Sequence, residues 1–362
     1  MLRSINIESV PLILNTDRGL YCPIGDFHID AWRPVARNIV THAHSDHARS
    51  GSERYLTAAD GVRLLERRLG SAICVQGLEY GQSIDMGGVR VSLHPAGHVL
   101  GSSQVRIERG GEVCVVSGDY KLLADPTCRP FELVKCHTFV TECTFGLPIF
   151  RWREPGSVTQ QINEWWKQNR EIDRTSILLV YSLGKAQRVL AALDPAIGPI
   201  LLHGAVHGMV EAYRQSGVAL PPAEYATPGL AKQEKGKAIV LAPPSAMNST
   251  WSRKLAPFST GAASGWMQVR GFRRRRGADR GFVLSDHVDW PGLMQTIEQT
   301  GAPRVIATHG FTGPVVRTLR ERGMDADAFE TRFSGEADED EDAANEATDG
   351  ALPGSGPDDA HE

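Results

Sequence analysis

The chain has 362 residues, 41% hydrophobic and 23% charged, with a formal net charge of −4. That length suits one large or two medium domains, and no apolar run approaches the 18 residues of a membrane-spanning helix. Residues 334–362 hold 11 Asp or Glu and no Lys or Arg, so residues 1–333 carry 39 basic against 32 acidic side chains, a net of +7. The acidic tail has almost no large apolar residues and is expected to be disordered. The body is mildly basic, which fits a polyanionic substrate. MLRSINIESVPLIL at the start has no apolar stretch closed by a cleavage site, so no secretory signal is expected. Six cysteines without a C-x-x-C pair read as reduced thiols in a cytoplasmic protein with no membrane contact.

In chain order, TAADGVRLLERRLG has helical spacing and a stop at Gly70. VRVSLHPA, EVCVVSGD and HTFVTECT read as strands bounded by Gly and Pro. Composition changes near WREPGS. VTQQINEWWKQNR then predicts a helix, SILLVYSLG a strand and turn, KAQRVLAALDP a helix, and PILLHGAV and KAIVLAPPSA strands. This alternation predicts a small α/β unit with parallel strands. GFRRRRGADRG reads as a basic loop, and FVLSDHVDWPGLMQTIEQTG and PRVIATHGFTGPVVRTLRERG as two strand–loop–helix units.

IVTHAHSDH is an apolar strand running into a loop with His42, His44, Asp46 and His47. These ligand types suit Zn²⁺, or Mn²⁺ where oxygen ligands are many. One short loop cannot complete two metal shells. His98, Asp119 and His309 each follow an apolar run and sit beside Gly, as strand-end ligands do. His28, His94, His137, His203 and His207 read as structural, and Trp165 and Trp166 as core or interface residues rather than stacking platforms for bases.

H-x-H-x-D-H followed by His98, Asp119 and His309 resembles the metallo-β-lactamase superfamily. The resemblance implies an αββα sandwich, class α/β, with a dinuclear site of two divalent ions, Zn²⁺ or Mn²⁺, at one edge. One ion would take His42, His44 and His98, the other Asp46, His47 and His309, with Asp119 bridging. Asp46 and Asp119 thereby join the catalytic set. Asp30 in FHIDAW matches an early strand-end Asp that orients a ligand, with Asp26 close by.

TECTFG and SDHVDW resemble the extra motifs of β-CASP nucleases, with a cap inserted between Glu142 and His287. The wider set, GDFHIDAW, PAGHVLGSSQV, SGDYK, TECTFGLPIFRW and YSLGKAQRV, is similar to the bacterial ligase-associated DNA exonucleases, relatives of the cross-link-repair nucleases, over residues 10 to 330. The resemblance implies domains at 1–155 and 281–333 forming the sandwich, a cap at 156–280 and a tail at 334–362. It implies a metal-dependent DNA exonuclease in repair, acting on single-stranded or end-containing DNA, with an ATP-dependent DNA ligase and a helicase as associates. His309 at the third extra motif is the residue usual in RNA-processing members, so an RNA-processing ribonuclease is the alternative, and a small-molecule lactonase or thioesterase a more distant one.

In such an enzyme two metals would draw charge from the phosphodiester and lower the pKa of a water between them, giving a hydroxide near neutral pH. His287 would act as general acid and Glu142 would hold it charged and oriented. Arg273, Arg274, Arg275 and Arg276 are candidates for tracking phosphates. Lys185, opening a helix after Gly184, is a candidate phosphate contact, although the segment is not a P-loop.

Overall fold

The computed structural model describes residues 10–248, 250–271 and 277–330. Arg273–Arg276 and the acidic tail lie outside the described residues.

Six short strands build the first sheet in chain order: β1 (Leu14–Thr16), β2 (Gly19–Cys22), β3 (Phe27–Ile29), β4 (Arg37–Ile39), β5 (Arg54–Ala58) and β6 (Val75–Leu78). β1 to β3 meander, whereas β3 to β6 run parallel. Helix α1 (Val62–Leu69) makes the β5–β6 crossover, as parallel strands require. β7 (Ser83–Met86), β8 (Val89–Pro95), β9 (Ser103–Arg109) and β10 (Glu112–Val116) form an antiparallel run, and β11 (Thr138–Cys143) joins β10 in parallel.

The third sheet follows from α2 (Pro155–Glu171), β12 (Thr175–Leu179), α3 (Lys185–Ala192), β13 (Ile200–Leu202), α4 (Gly204–Gln215), β14 (Glu224–Tyr225), α5 (Pro228–Gln233), β15 (Ile239–Ala242), α6 (Thr250–Arg253), β16 (Phe258–Ala263) and β17 (Arg280–Phe282). Its order is β14-β13-β15-β12-β16-β17, all parallel. The chain then returns through α7 (Trp290–Thr300), β18 (Arg304–Gly310), α8 (Thr312–Glu321) and β19 (Asp325–Ala328), and β18 pairs with β11 to extend the second sheet.

Side-chain alternation explains the layering. Ile29, Ile39 and Leu56 of the first sheet pack against Val91, Val105 and Val116 of the second. Leu64 and Leu65 of α1 cover the outer face of the first sheet. Leu293, Ile297, Val315 and Leu319 of α7 and α8 cover Val115, Phe139 and Val305 of the second. The result is an αββα sandwich. In the third sheet Leu178 and Leu241 face Trp165, Trp166 and Leu190 on one side. Ile177 and Val240 face Phe145, Phe150 and Trp266 on the other. Trp165 and Trp166 are thus core residues.

PILLHGAV differs from the expected single strand. The strand ends at Leu202, and His203 caps α4 by accepting a hydrogen bond from the Ala205 amide. The helical signal was Val206, Val210 and Tyr213, all buried at helical spacing. The six cysteines are unpaired. No helix among the described residues is long and apolar enough to cross a membrane.

Candidate metal centre and its surroundings

The ligand-rich loop leaves the end of β4 and is pinned at its root by Asp30. Thr41 donates to Asp30 from its amide (2.8 Å) and its hydroxyl (2.6 Å), and His47 Nδ1 lies 2.7 Å from Asp30 Oδ2. Asp26 instead faces outward, accepting from Tyr21 and pairing with Arg37 at 2.8 Å. Asp30 and His309 both hold left-handed backbone, φ 47° and 53°, a costly conformation outside glycine that concentrates at functional sites.

Turns at the carboxyl ends of the strands bring in the rest. His98 comes from the β8–β9 turn, Asp119 from beyond β10, and His309 from the end of β18. Side chains that could hold a metal form three groups whose ligand atoms lie within 4.8 Å of one another: His42, His44, His98 and Asp119; Asp46, His47 and His309; and Asp119, Glu142 and His287. Asp119 belongs to two of them. Its Oδ2 lies 3.5 Å from His42 Nε2, 3.3 Å from His47 Nε2 and 3.8 Å from His287 Nδ1.

Outer-ring contacts fix which nitrogen of each imidazole points inward. Backbone carbonyls and carboxylates only accept, so the ring nitrogens that face them must donate. His44 Nε2 lies 3.1 Å from Leu183 O, and His98 Nδ1 2.8 Å from Asp286 O. The Thr41 hydroxyl gives its proton to Asp30 and therefore accepts from His42 Nδ1 at 3.1 Å. The inward nitrogens are then His42 Nε2, His44 Nδ1, His98 Nε2 and His47 Nε2. His42 Nε2 and His98 Nε2 each sit 3.1 Å from His44 Nδ1. Three lone pairs at this spacing repel one another unless a cation lies between them. Asp46 Oδ1 is buried without a hydrogen-bond partner, a loss of about 1–3 kcal/mol if nothing satisfies it, and His47 Nε2 faces the Asp46 and Asp119 carboxylates at 3.4 and 3.3 Å. The residues present fit a metal centre.

Electrostatics point the same way. Burial, reinforced by neighbouring histidines, holds His42 and His98 well below the ordinary imidazole range, which keeps them neutral as ligands must be. Burial opposes ionisation of Asp119, but His47 and His287 outweigh it and hold the carboxyl far below its usual range. Burial also opposes a charge on His47, yet Asp46, Asp119 and Asp30 raise its pKa well above normal. Carboxylates that attract a proton to this nitrogen would attract a metal cation equally.

His287, in the loop before α7, places Nδ1 3.0 Å from Glu142 Oε2 and 3.2 Å from Oε1. Glu142 is held in turn by the Tyr120 amide at 2.8 Å. Both side chains are buried, and Asp119 lies between this pair and the histidine groups.

No family model matches the chain. It is 33% identical over 319 residues to a protein named probable DNA ligase from Opitutus terrae, covering 88% of this chain and 31% of that protein. It is 26% identical over 149 residues to endoribonuclease YSH1 of Saccharomyces cerevisiae, covering 40% of this chain and 19% of that protein. It is 27% identical over 124 residues to cleavage and polyadenylation specificity factor subunit 3 of Dictyostelium discoideum, covering 33% and 16%. The chain therefore spans less than a third of each of these curated relatives. A solved structure of a protein of unknown function from Enterococcus faecalis V583 shares the fold, with TM-score 0.56 and 13% identity over 83% of this chain and 80% of that one. These likenesses support a place for the chain in the metallo-β-lactamase/β-CASP family.

One expected site residue has different surroundings from those anticipated. Lys185 opens α3 after Gly184, but its side chain is 1% exposed, 3.8 Å from Asp286 Oδ2 and over the Tyr181 ring. The helix start faces the body, so the ammonium meets a buried carboxylate rather than solvent. Several contributors were not singled out from the sequence. Trp152 donates from Nε1 to the His287 carbonyl at 2.8 Å, and Lys121, Asp125, Arg188 and Asp286 form a buried charge cluster beside the centre. Burial works against charge on Asp286, but Lys185, Lys121 and Arg188 hold it far below the usual carboxylate range. The signal available for Asp286 and Lys121 was their closeness to His287 and Asp119; Arg188 lay inside the stretch YSLGKAQRV, but its partners are remote in sequence.

Proposed function

We propose that the chain is a metal-dependent phosphodiesterase that degrades DNA as an exonuclease in repair. The reading rests chiefly on one arrangement: inward-facing imidazoles and carboxylates, with Asp119 shared between them and a buried His287–Glu142 pair. His42, His44 and His98 would hold one ion and Asp46, His47 and His309 the other, with Asp119 common to both and Zn²⁺ or Mn²⁺ as the metal. When bound, such a pair of ions supplies Lewis acidity toward a phosphodiester and lowers the pKa of water.

The chain's own groups do the rest. Asp30 and Thr41 fix the rings of His47 and His42. Glu142 grips His287 at Nδ1, so the proton His287 delivers to the leaving 3′-oxygen is carried on Nε2. Groups of this kind contribute roughly 10²–10⁴-fold. We assign residues 1–154 and 283–333 to the sandwich domain and 155–282 to the cap, one or two residues away from the expected bounds of 155 and 280, because α2 starts at Pro155 and β17 (Arg280–Phe282) pairs with β16 in the cap sheet. Arg273–Arg276, within the cap segment of the sequence, are proposed to follow phosphates.

DNA is the favoured substrate because a relative named as a DNA ligase matches 88% of this chain. A ligase and a helicase acting on the same DNA, in the cytoplasm, are the proposed associates. RNA is the second reading: relatives named as endoribonucleases match the chain in part, and His309 is the residue that favours it. A lactonase or thioesterase reading leaves the cap unexplained. The test uses end-labelled single-stranded DNA and RNA of one sequence, with Mn²⁺ or Zn²⁺ and Asp119→Asn as control. Stepwise DNA shortening, lost in the variant, is expected. Selective RNA cleavage would establish the second reading, and a metal-loaded chain inert on both would sink both.

A further inference from the structure

Five charged side chains are packed out of water beside the metal centre. Lys121 Nζ is 2.6 Å from Asp125 Oδ2 and 3.8 Å from Asp286 Oδ1. Arg188 lies 2.8 Å from Asp286 Oδ1 and donates to the Ser285 carbonyl at 2.6 Å. Lys185 approaches Asp286 Oδ2 at 3.8 Å. Each of these side chains is at most 5% exposed. Burying so many charges is a poor way to gain stability, since desolvation offsets most of the attraction. Such clusters are better explained by what they orient.

This cluster touches the candidate ligands at several points. Asp286 offers its backbone carbonyl to His98 Nδ1 at 2.8 Å, and Lys121 Nζ donates to the His98 carbonyl at 3.3 Å. His98 is therefore held at both its ring and its backbone by the cluster. Lys121 stands two residues after Asp119, and Asp286 directly precedes His287. Arg188 and Lys185 ride on α3, and the turn that starts α3 gives the Leu183 carbonyl to His44 Nε2 at 3.1 Å. At that turn Gly184 has φ 87°, and a Cβ there would lie 2.3 Å from Val99 Cγ1. Helix α3 thus packs onto the ligand shell with no room for a side chain between them.

We propose that Arg188 is a positioning residue for the metal centre: by fixing Asp286 against α3 it sets the ring orientation of His98 and the placement of the Leu183 carbonyl on His44, so metal affinity depends on how α3 docks. The inference rests on the metal reading of the histidine groups, and it needs no assumption about the nucleic acid.

The experiment measures zinc affinity of the full chain by competition with a chromophoric chelator, for wild type, Arg188→Met and Arg188→Lys, with metal-free melting as the companion readout. Arg188→Met is expected to weaken zinc binding about 10–100-fold, the range seen when groups that orient ligands are removed. Arg188→Lys keeps a cation against Asp286 but loses the Ser285 contact, so its affinity is expected to fall between the two. A folded Arg188→Met that binds zinc as tightly as wild type overturns the proposal. If Arg188→Met does not fold, Arg188→Lys decides, and an affinity equal to wild type overturns it. A wild type that takes up neither zinc nor manganese overturns the metal reading itself and this inference with it.

Discussion

His287 Nδ1 lies 3.0 Å from Glu142 Oε2 with both side chains buried, so the two residues act as one unit. His287→Ala and Glu142→Gln are each expected to lower kcat on DNA by about 10²–10⁴-fold, with little change in KM. The double variant should cost about as much as the worse single one, because residues acting as a unit are not additive. Steady-state kinetics of the four proteins check this. Strict additivity would mean that Glu142 serves something other than His287.

Asp119 Oδ2 reaches His42, His47 and His287 within 3.8 Å. Asp119→Asn removes the charge shared by these groups while keeping the shape. The expected outcome is fewer bound metal ions per chain by elemental analysis and activity reduced to background. Treatment with EDTA should do the same to wild type, and Zn²⁺ or Mn²⁺ should restore wild type but not the variant. A variant retaining wild-type metal content would remove Asp119 from the shared position.

The ligand loop was legible because its residues are adjacent, and adjacency survives in a linear reading. His98, Asp119 and His309 were legible because each ends an apolar strand beside Gly, and strand ends gather at one edge of a sandwich. The strand–helix alternation of residues 155–282 was readable for the same reason that its strands are buried on both faces: Ile177, Leu178 and Leu179 form an unbroken apolar run. Resemblance alone favours Asp30 over Asp26; in the fold they differ in that Asp30 reaches Thr41 and His47 while Asp26 pairs with Arg37. The fate of Lys185 was not legible. A lysine opening a helix reads as an exposed phosphate contact until the body is packed over it.

Gly118 has φ 56°, and a Cβ there would lie 2.7 Å from Thr41 Cβ and 2.8 Å from its hydroxyl oxygen. Gly118→Ala combines left-handed strain with overpacking, a loss of about 2–5 kcal/mol. It also pushes the side chain that ties Asp30 to His42. Urea denaturation should show the lower stability, and metal content should fall with it. Full metal content in a folded variant would separate Thr41 from the centre.

Acid should destabilise the metal-free chain, and the sign follows from the histidines. Burial lowers the pKa of His42, His44, His98 and His309, and also of His28 and His203. As pH falls through about 6.5, the unfolded chain takes up protons that the folded chain refuses, so unfolding gains. His47 acts in the opposite sense. Burial disfavours its charge but Asp46, Asp119 and Asp30 prevail, so its contribution is present below about pH 6.5 and is lost only as pH rises through its raised value. Six lowered groups against one raised group predict a lower urea midpoint near pH 5.5 than near pH 7.5. Zinc should raise the midpoint more at the higher pH, because the metal must displace the proton that His47 holds in the folded chain. An equal or higher metal-free midpoint at the acidic pH would mean that the attraction of the three carboxylates for a proton on His47 outweighs the burial of all the other rings.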